Sequence, residues 1–199
     1  MRPLHTVDAE IDSPYATPPA IGNATLGMML VVAAELMLFI GLISGYIVLR
    51  YGSRNFGGMP GMPVLLPAIN TAVLVISSLA LLLAQRGNKQ GDARLLRIGA
   101  LAALLFGGLF LLLQGIEWNT LISSGWIPVH GIASGLFYLL SGMHGVHIIG
   151  GIVLLTMLWY RISRNAPRRR VLVALRIAAI YWHFVTLVWI ALFLMMFLL

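Results

Sequence analysis

His144 and His147 stand three residues apart in the run Ser141-Gly142-Met143-His144-Gly145-Val146-His147. That spacing puts both imidazoles on one side of a helix. With Glu35, His183 and the pair Gln114 and Glu117, they are the residues through which this sequence could do chemistry. Imidazoles and a carboxylate can ligate a metal, and groups that exchange protons within hydrogen-bond reach can form a relay. A haem would require His183 or His130 from across the bundle, because two ligands on one helix face cannot clasp it from opposite sides. Ser134, between Gly131 and Gly135, is a nucleophile only if a histidine acts as its base. For all of these groups the favoured reading is the plainer one, hydrogen bonding between packed helices. No catalytic residue, metal or haem is therefore expected in this chain.

Apolar spans must position these groups. Of 199 residues 60% are hydrophobic and 10% charged, whereas soluble domains carry about a quarter charged. Five stretches, Leu26 to Leu49, Val64 to Ala84, Ile98 to Ile116, Ile132 to Tyr160 and Ile177 to Leu199, each match the roughly 20 helical residues that cross a hydrocarbon core. The predicted fold is all-α, a polytopic membrane bundle of five transmembrane helices over residues 24–199. Residues 1–23, with Asp8, Glu10, Asp12, Pro14, Pro18 and Pro19, read as an irregular cytoplasmic arm and lack the layout of a signal peptide. The connection Tyr51 to Pro63 reads as a turn-dense external loop. Cys is absent, which excludes disulfides, thiolate-bound zinc and iron-sulfur clusters.

Within the spans an ionisable group costs at least about 2.5 kcal/mol at mid-membrane and implies a partner. Glu35, near the middle of the first span, has to face protein, keep its proton, or both, with His147 or His144 as the expected partner. Gly41 and Gly45 lie about a quarter-turn round the helix from it, offering a face for close helix packing. Gly131 and Gly135 offer another. The broken helices that build carrier sites are not evident, since Pro67 falls in a first turn where its lost hydrogen bond matters little.

Positive charge is the second pattern. Arg2, then Arg86, Lys89, Arg94 and Arg97, then Arg161, Arg164, Arg168, Arg169, Arg170 and Arg176 fall on one side of the five spans, eleven against two, Arg50 and Arg54, on the other. Lys and Arg in short loops stay in the cytoplasm, which places the N-terminus inside and the C-terminus outside. The net charge of +7 is thereby a topology signal and not a mark of nucleic acid binding. Arg168, Arg169, Arg170 and Arg176 are additional candidates for anionic lipid head groups.

Five motifs then add what spacing does not. Ala34-Glu35-Leu36-Met37-Leu38-Phe39-Ile40-Gly41 resembles the Glu-bearing helix of subunit III of haem-copper terminal oxidases. Asn70-Thr71 with Ser77-Ser78, Leu113-Gln114-Gly115-Ile116-Glu117-Trp118, Phe137-Tyr138 leading to the His144 and His147 run, and Tyr181-Trp182-His183-Phe184-Val185 with Val188-Trp189 follow in family order. The resemblance covers about Leu26 to Phe193 and is to the five-helix form of a family whose longer members have seven. It implies an accessory subunit that packs on the redox subunit I, leaves haem and copper to partner subunits, and holds structural phospholipid. It also implies that the chain supports proton uptake and protects subunit I during turnover. Glu35, the Gln114 and Glu117 step, the His144 and His147 step and His183 match the family positions. Thr186 stands where the family usually has Asp, and its hydroxyl is expected to return to a backbone carbonyl. A nitric-oxide-reductase-type assembly and a free-standing proton-coupled carrier are the alternatives. The charge asymmetry predicts that a reporter fused after Leu199 reads as periplasmic and one at Arg168 as cytoplasmic; the reverse pattern contradicts the span assignment.

Overall fold

The computed structural model describes residues 22–54, 56 and 64–198, apart from the side chains of His130 and Leu198. The expected N-terminal arm and most of the Tyr51 to Pro63 connection lie outside the described residues, as does the His130 side chain considered as a haem ligand. Among the described residues the architecture is wholly helical: α1 Asn23–Gly52, α2 Leu65–Gln90, α3 Ala93–Ser123, α4 Ile132–Ser163 and α5 Arg168–Phe193. A short 3-10 turn, Pro128–His130, leads into α4, and a π-helical turn, Leu194–Leu198, prolongs α5. All five α-helices are long and apolar enough to cross a membrane.

The helices outrun the apolar stretches at the end of the bundle that carries most of the Lys and Arg. α2 continues to Gln90 and α3 begins at Ala93, so the connection expected to hold Arg86, Lys89, Arg94 and Arg97 shrinks to Gly91 and Asp92. Gly91 takes the left-handed conformation, φ 74°, which ends α2 at a residue without a Cβ. Asp92 then caps α3, its carboxylate accepting from the backbone N–H groups of Arg94 and Leu95 at 2.9 and 3.0 Å. Arg168, Arg169 and Arg170 likewise form the first turn of α5, and Arg176 lies two turns inside it, not in a loop. Arg, Lys and Gln are good helix formers, and their long stems let the charged heads reach water from within a helix.

Four helices close a ring. α2 packs most extensively on α3, α3 on α4, α4 on α5, and α5 back on α2, while α1 lies outside against α5 and α4. The α2 to α3 seam is a backbone contact: a Cβ placed on Gly99 would stand 2.5 Å from Ala84 N and 2.7 Å from Ala80 O. Such proximity maximises the dispersion contact that drives helix association where lipid removes the hydrophobic term.

Trp182 of α5, the largest fully buried side chain, occupies the ring's interior. A Cβ on Gly107 of α3 would lie 2.7 Å from its Cη2 and Cζ2, and one on Gly151 of α4 would lie 2.6 Å from its Cε3 and Cζ3. The indole thus fills a slot whose two walls are glycine backbone. Its Nε1 donates to Ser77 Oγ of α2 at 3.1 Å, and Ser77 in turn donates to Ala103 O of α3 at 2.6 Å. One side chain of α5 touches the other three helices of the ring.

Among the described residues the glycines expected to do this packing do not do it. A Cβ on Gly41 or Gly45 would meet nothing of them within 4 Å, because there α1 buries only Thr25, Phe39 and Tyr46 and turns that stripe outward. Gly131 precedes α4 and also meets nothing, and Gly135 approaches Pro128 O of the preceding turn, not another span. Spacing alone identified candidates for close approach, but which helix face looks inward is a tertiary fact.

Candidate functional site

Glu35 and His147 meet at mid-helix, Oε2 to Nε2, at 2.6 Å. The other imidazole nitrogen, Nδ1, lies 2.6 Å from the backbone carbonyl of Met143 one turn earlier. A carbonyl oxygen only accepts, so Nδ1 carries a hydrogen, and a single further proton between Oε2 and Nε2 holds the pair together. Of the two partners expected for Glu35, the geometry selects His147. Phe39, one turn from Glu35, places its ring edge-on at 5.0 Å from that of His147. The Glu35 side chain remains 27% exposed and that of His147 9%. These contacts fix α1, otherwise lightly packed, to α4.

His144 faces a different way. Its ring, wholly buried, stacks on Trp189 with centroids 4.9 Å apart and packs edgewise on Phe110 at 6.0 Å and Phe39 at 6.4 Å. Among the described residues neither of its nitrogens has a hydrogen-bond partner. The three-residue spacing put both histidines on one side of α4, but the aromatic wall of α1, α3 and α5 separates their roles: His147 bonds and His144 packs. Among the described residues no group of three or more His, Cys, Asp or Glu is placed to share a metal ion.

Nearer the end of α3 that leads to the Trp126 loop, Asn70 Nδ2 donates to Gln114 Oε1 at 3.3 Å, and Gln114 Nε2 donates to Glu117 Oε2 at 3.1 Å. All three are buried, and among the described residues Asn70 Oδ1 and Glu117 Oε1 lack partners. This chain of amides ties α2 to α3, and Asn70 is the member that residue type alone did not single out as a site. His183 Nδ1 lies 2.6 Å from Ser78 Oγ, joining α5 to α2. Trp189 Nε1 donates to Thr71 Oγ1 at 3.0 Å, a second α5 to α2 bond. Thr186 Oγ1 donates to Trp182 O at 2.8 Å, the return to a carbonyl expected of a hydroxyl in mid-helix. Ser134 Oγ donates to Gly131 O at 3.0 Å, a local turn bond with no histidine in it.

The polar groups of the spans thus form several short interhelical links instead of converging on one centre. Fold and site together define a multi-pass membrane helix bundle whose buried polar residues join its own helices. The family model described as cytochrome c oxidase subunit III matches residues 14–199. The chain is 33% identical over 175 residues to a probable cytochrome c oxidase subunit 3 of Nocardia farcinica, covering 85% of this chain and 84% of that one. It is 30% identical over 212 residues to cytochrome c oxidase subunit 3 of a Synechocystis species, covering 100% and 89%. To the subunit 3 of Thermostichus vulcanus it is 32% identical over 180 residues, covering 87% and 86%. The chain belongs to the cytochrome c oxidase subunit III family.

The Glu35 to His147 link makes a specific prediction. With Nδ1–H fixed on Met143 O, Nε2 can accept from a glutamine amide, so Glu35→Gln keeps a hydrogen bond where Glu35→Ala leaves Nε2 unpaired. We expect Glu35→Ala to cost about 1 to 2 kcal/mol and Glu35→Gln less than about half of that, measured as unfolding midpoints of the purified chain in detergent. Equal losses for the two variants contradict the assigned hydrogen bond.

Proposed function

We propose that this chain is the non-catalytic accessory subunit of an aerobic respiratory haem-copper oxidase in a bacterial cytoplasmic membrane. It packs on the redox subunit I and stabilises it and its proton uptake. Haem and copper reside in partner subunits, and phospholipid is held at this chain's surface, with Arg168, Arg169, Arg170 and Arg176 as head-group candidates. The N-terminus lies in the cytoplasm and the C-terminus in the periplasm. The observation that carries this reading is the disposal of the in-span polar groups. Glu35 with His147, Asn70 with Gln114 and Glu117, and Ser78 with His183 are each engaged between helices, leaving structural roles for groups that a catalytic centre would bring together.

Gln114, Glu117, His144, His147, His183 and Thr186 therefore maintain the shape of the bundle, and Glu35 fixes the position of α1. The outward apolar faces, including Met37, Val48 and Leu30 of α1, all more than 60% exposed, are then available to lipid and to neighbouring subunits. Purification from native membranes in mild detergent tests the proposal. We expect a haem- and copper-bearing chain to co-purify. Removing this subunit should leave the initial rate of oxygen reduction within about twofold while shortening active life during turnover. A monomer free of haem-bearing partners, or complete loss of the initial rate on removal, contradicts it.

A further inference from the structure

Of the two glutamates within the helices, Glu35 pairs with His147, whereas Glu117 meets no basic side chain among the described residues. Its Oε2 accepts from Gln114 Nε2 at 3.1 Å, while Oε1 is buried and, among the same residues, has no partner. One step along this chain of amides, Gln114 Oε1 accepts from Asn70 Nδ2 at 3.3 Å, and Asn70 Oδ1 is buried and unpartnered in the same sense. We propose that Glu117 is a proton-binding site: its carboxyl holds a proton on Oε1 at neutral pH and keeps the α2 to α3 seam closed at the Trp126 end of the bundle, and loss of that proton opens the seam. The proposal rests on the bundle alone and not on the accessory role proposed above.

The count of donors and acceptors favours the proton. Asn70 Oδ1 and Glu117 Oε1 are two acceptors without a donor, and an ionised carboxylate can only accept. A proton turns Oε1 into a donor and leaves a neutral acid, which costs far less to bury than a charge. A carbonyl oxygen is the better acceptor of the two in an acid, so the Gln114 hydrogen marks Oε2 as the carbonyl and Oε1 as the hydroxyl.

No neighbouring group stands ready to hold the ionised form. Arg50, at the same end of the bundle, donates to Tyr46 Oη at 2.7 Å, and neither it nor Arg54 forms an ion pair with Glu117. From α4, Tyr138 is close enough to feel the charge, but its hydroxyl donates to Trp126 O at 2.8 Å. His144 of α4 is enclosed by Trp189, Phe110 and Phe39, and His183 of α5 is held by Ser78. The indole N–H of Trp118, next in sequence, makes no hydrogen bond to the carboxyl.

The site can still exchange with water. It lies near the start of α2 and the end of α3, and Asn119, Thr120 and Ser123 of the following turn are exposed. An ionised Glu117 would have one amide donor to hold its charge, so water must enter to solvate it. The point of entry is the seam that Asn70 and Gln114 join.

The sequence holds three glutamates, Glu10, Glu35 and Glu117, so the full chain labelled with carbon-13 at the glutamate carboxyl gives three carboxyl signals by NMR in detergent. At neutral pH the signal lost in Glu117→Gln should stand at the protonated position and reach the ionised position only as pH rises. If Glu117→Gln does not fold, Glu10→Gln and Glu35→Gln assign the remaining signal by elimination. The second readout is amide hydrogen exchange about one pH unit above that transition. Amides at the start of α2 and the end of α3 should exchange about tenfold faster in wild type than in Glu117→Gln, the linkage of one pH unit, with the α5 amides of the same sample as an internal reference. A Glu117 signal already ionised at neutral pH overturns the proton site, and a transition without faster exchange at that end overturns the opening of the seam. A Glu117 signal that shifts when sodium or potassium is added at fixed pH shows a metal cation in place of the proton and overturns the proposal.

Discussion

The bundle is organised around one steric constraint: an indole can enter the space between α3 and α4 only where both helices present glycine. Trp182 fills that space between Gly107 and Gly151, and its Nε1 bond to Ser77 sets the direction in which it enters. In a membrane, burying apolar surface gives no advantage over leaving it in lipid, so helices associate through close packing and a few hydrogen bonds. A side chain with this many neighbours at van der Waals distance supplies the first, and the indole N–H supplies one of the second. Because the slot fixes the rotation of α5 against three other helices, it also fixes the direction of the residues one and two turns away. Thr186 returns to the Trp182 carbonyl, and Trp189 reaches Thr71 and stacks on His144.

α1 is held by other means. Among the described residues it buries three side chains along thirty; it lies mostly against α5 and is joined to α4 through Phe39 and the Glu35 to His147 bond. The Tyr46 contacts, to Arg50 at 2.7 Å and to Phe56 at 5.8 Å, stay within α1 and the segment that follows it. A four-helix ring thus carries one lightly held helix on its outside, and separate links among α1, α2, α3, α4 and α5 hold the five together without a common centre.

The five spans were legible in the sequence because a hydrocarbon core requires long apolar runs and the charged residues mark where they end. The partner of Glu35 was legible as one of two histidines, His147 or His144, and the geometry selects His147. The ends of the helices were not, because Arg, Lys and Gln continue a helix into water as readily as they leave it; only Gly91 and Asp92, with their turn chemistry, stop it. The close-approach glycines were only half legible. Gly107 ends a series of small residues four apart with Gly99 and Ala103, Gly151 stands in none, and the slot the two form appears only when Trp182 is placed between them. Gly41 and Gly45 have the repeat but face outward. The division of labour between His144 and His147 was equally invisible, since it depends on aromatic side chains contributed by three other helices.

The most direct test of this organisation is the thermal unfolding of the purified chain carrying Gly107→Val, Gly151→Val or Gly45→Val. The slot predicts that each of the first two lowers stability by about 1 to 3 kcal/mol through overpacking. It also predicts that adding Trp182→Leu to Gly151→Val costs less than the sum of the two single changes, because the smaller side chain vacates the space the valine needs. Gly45→Val should stay within about 0.5 kcal/mol of wild type. If Gly107→Val and Gly151→Val unfold with the wild-type chain, or if the double variant shows simple additivity, Trp182 is not the element that sets the arrangement of the bundle.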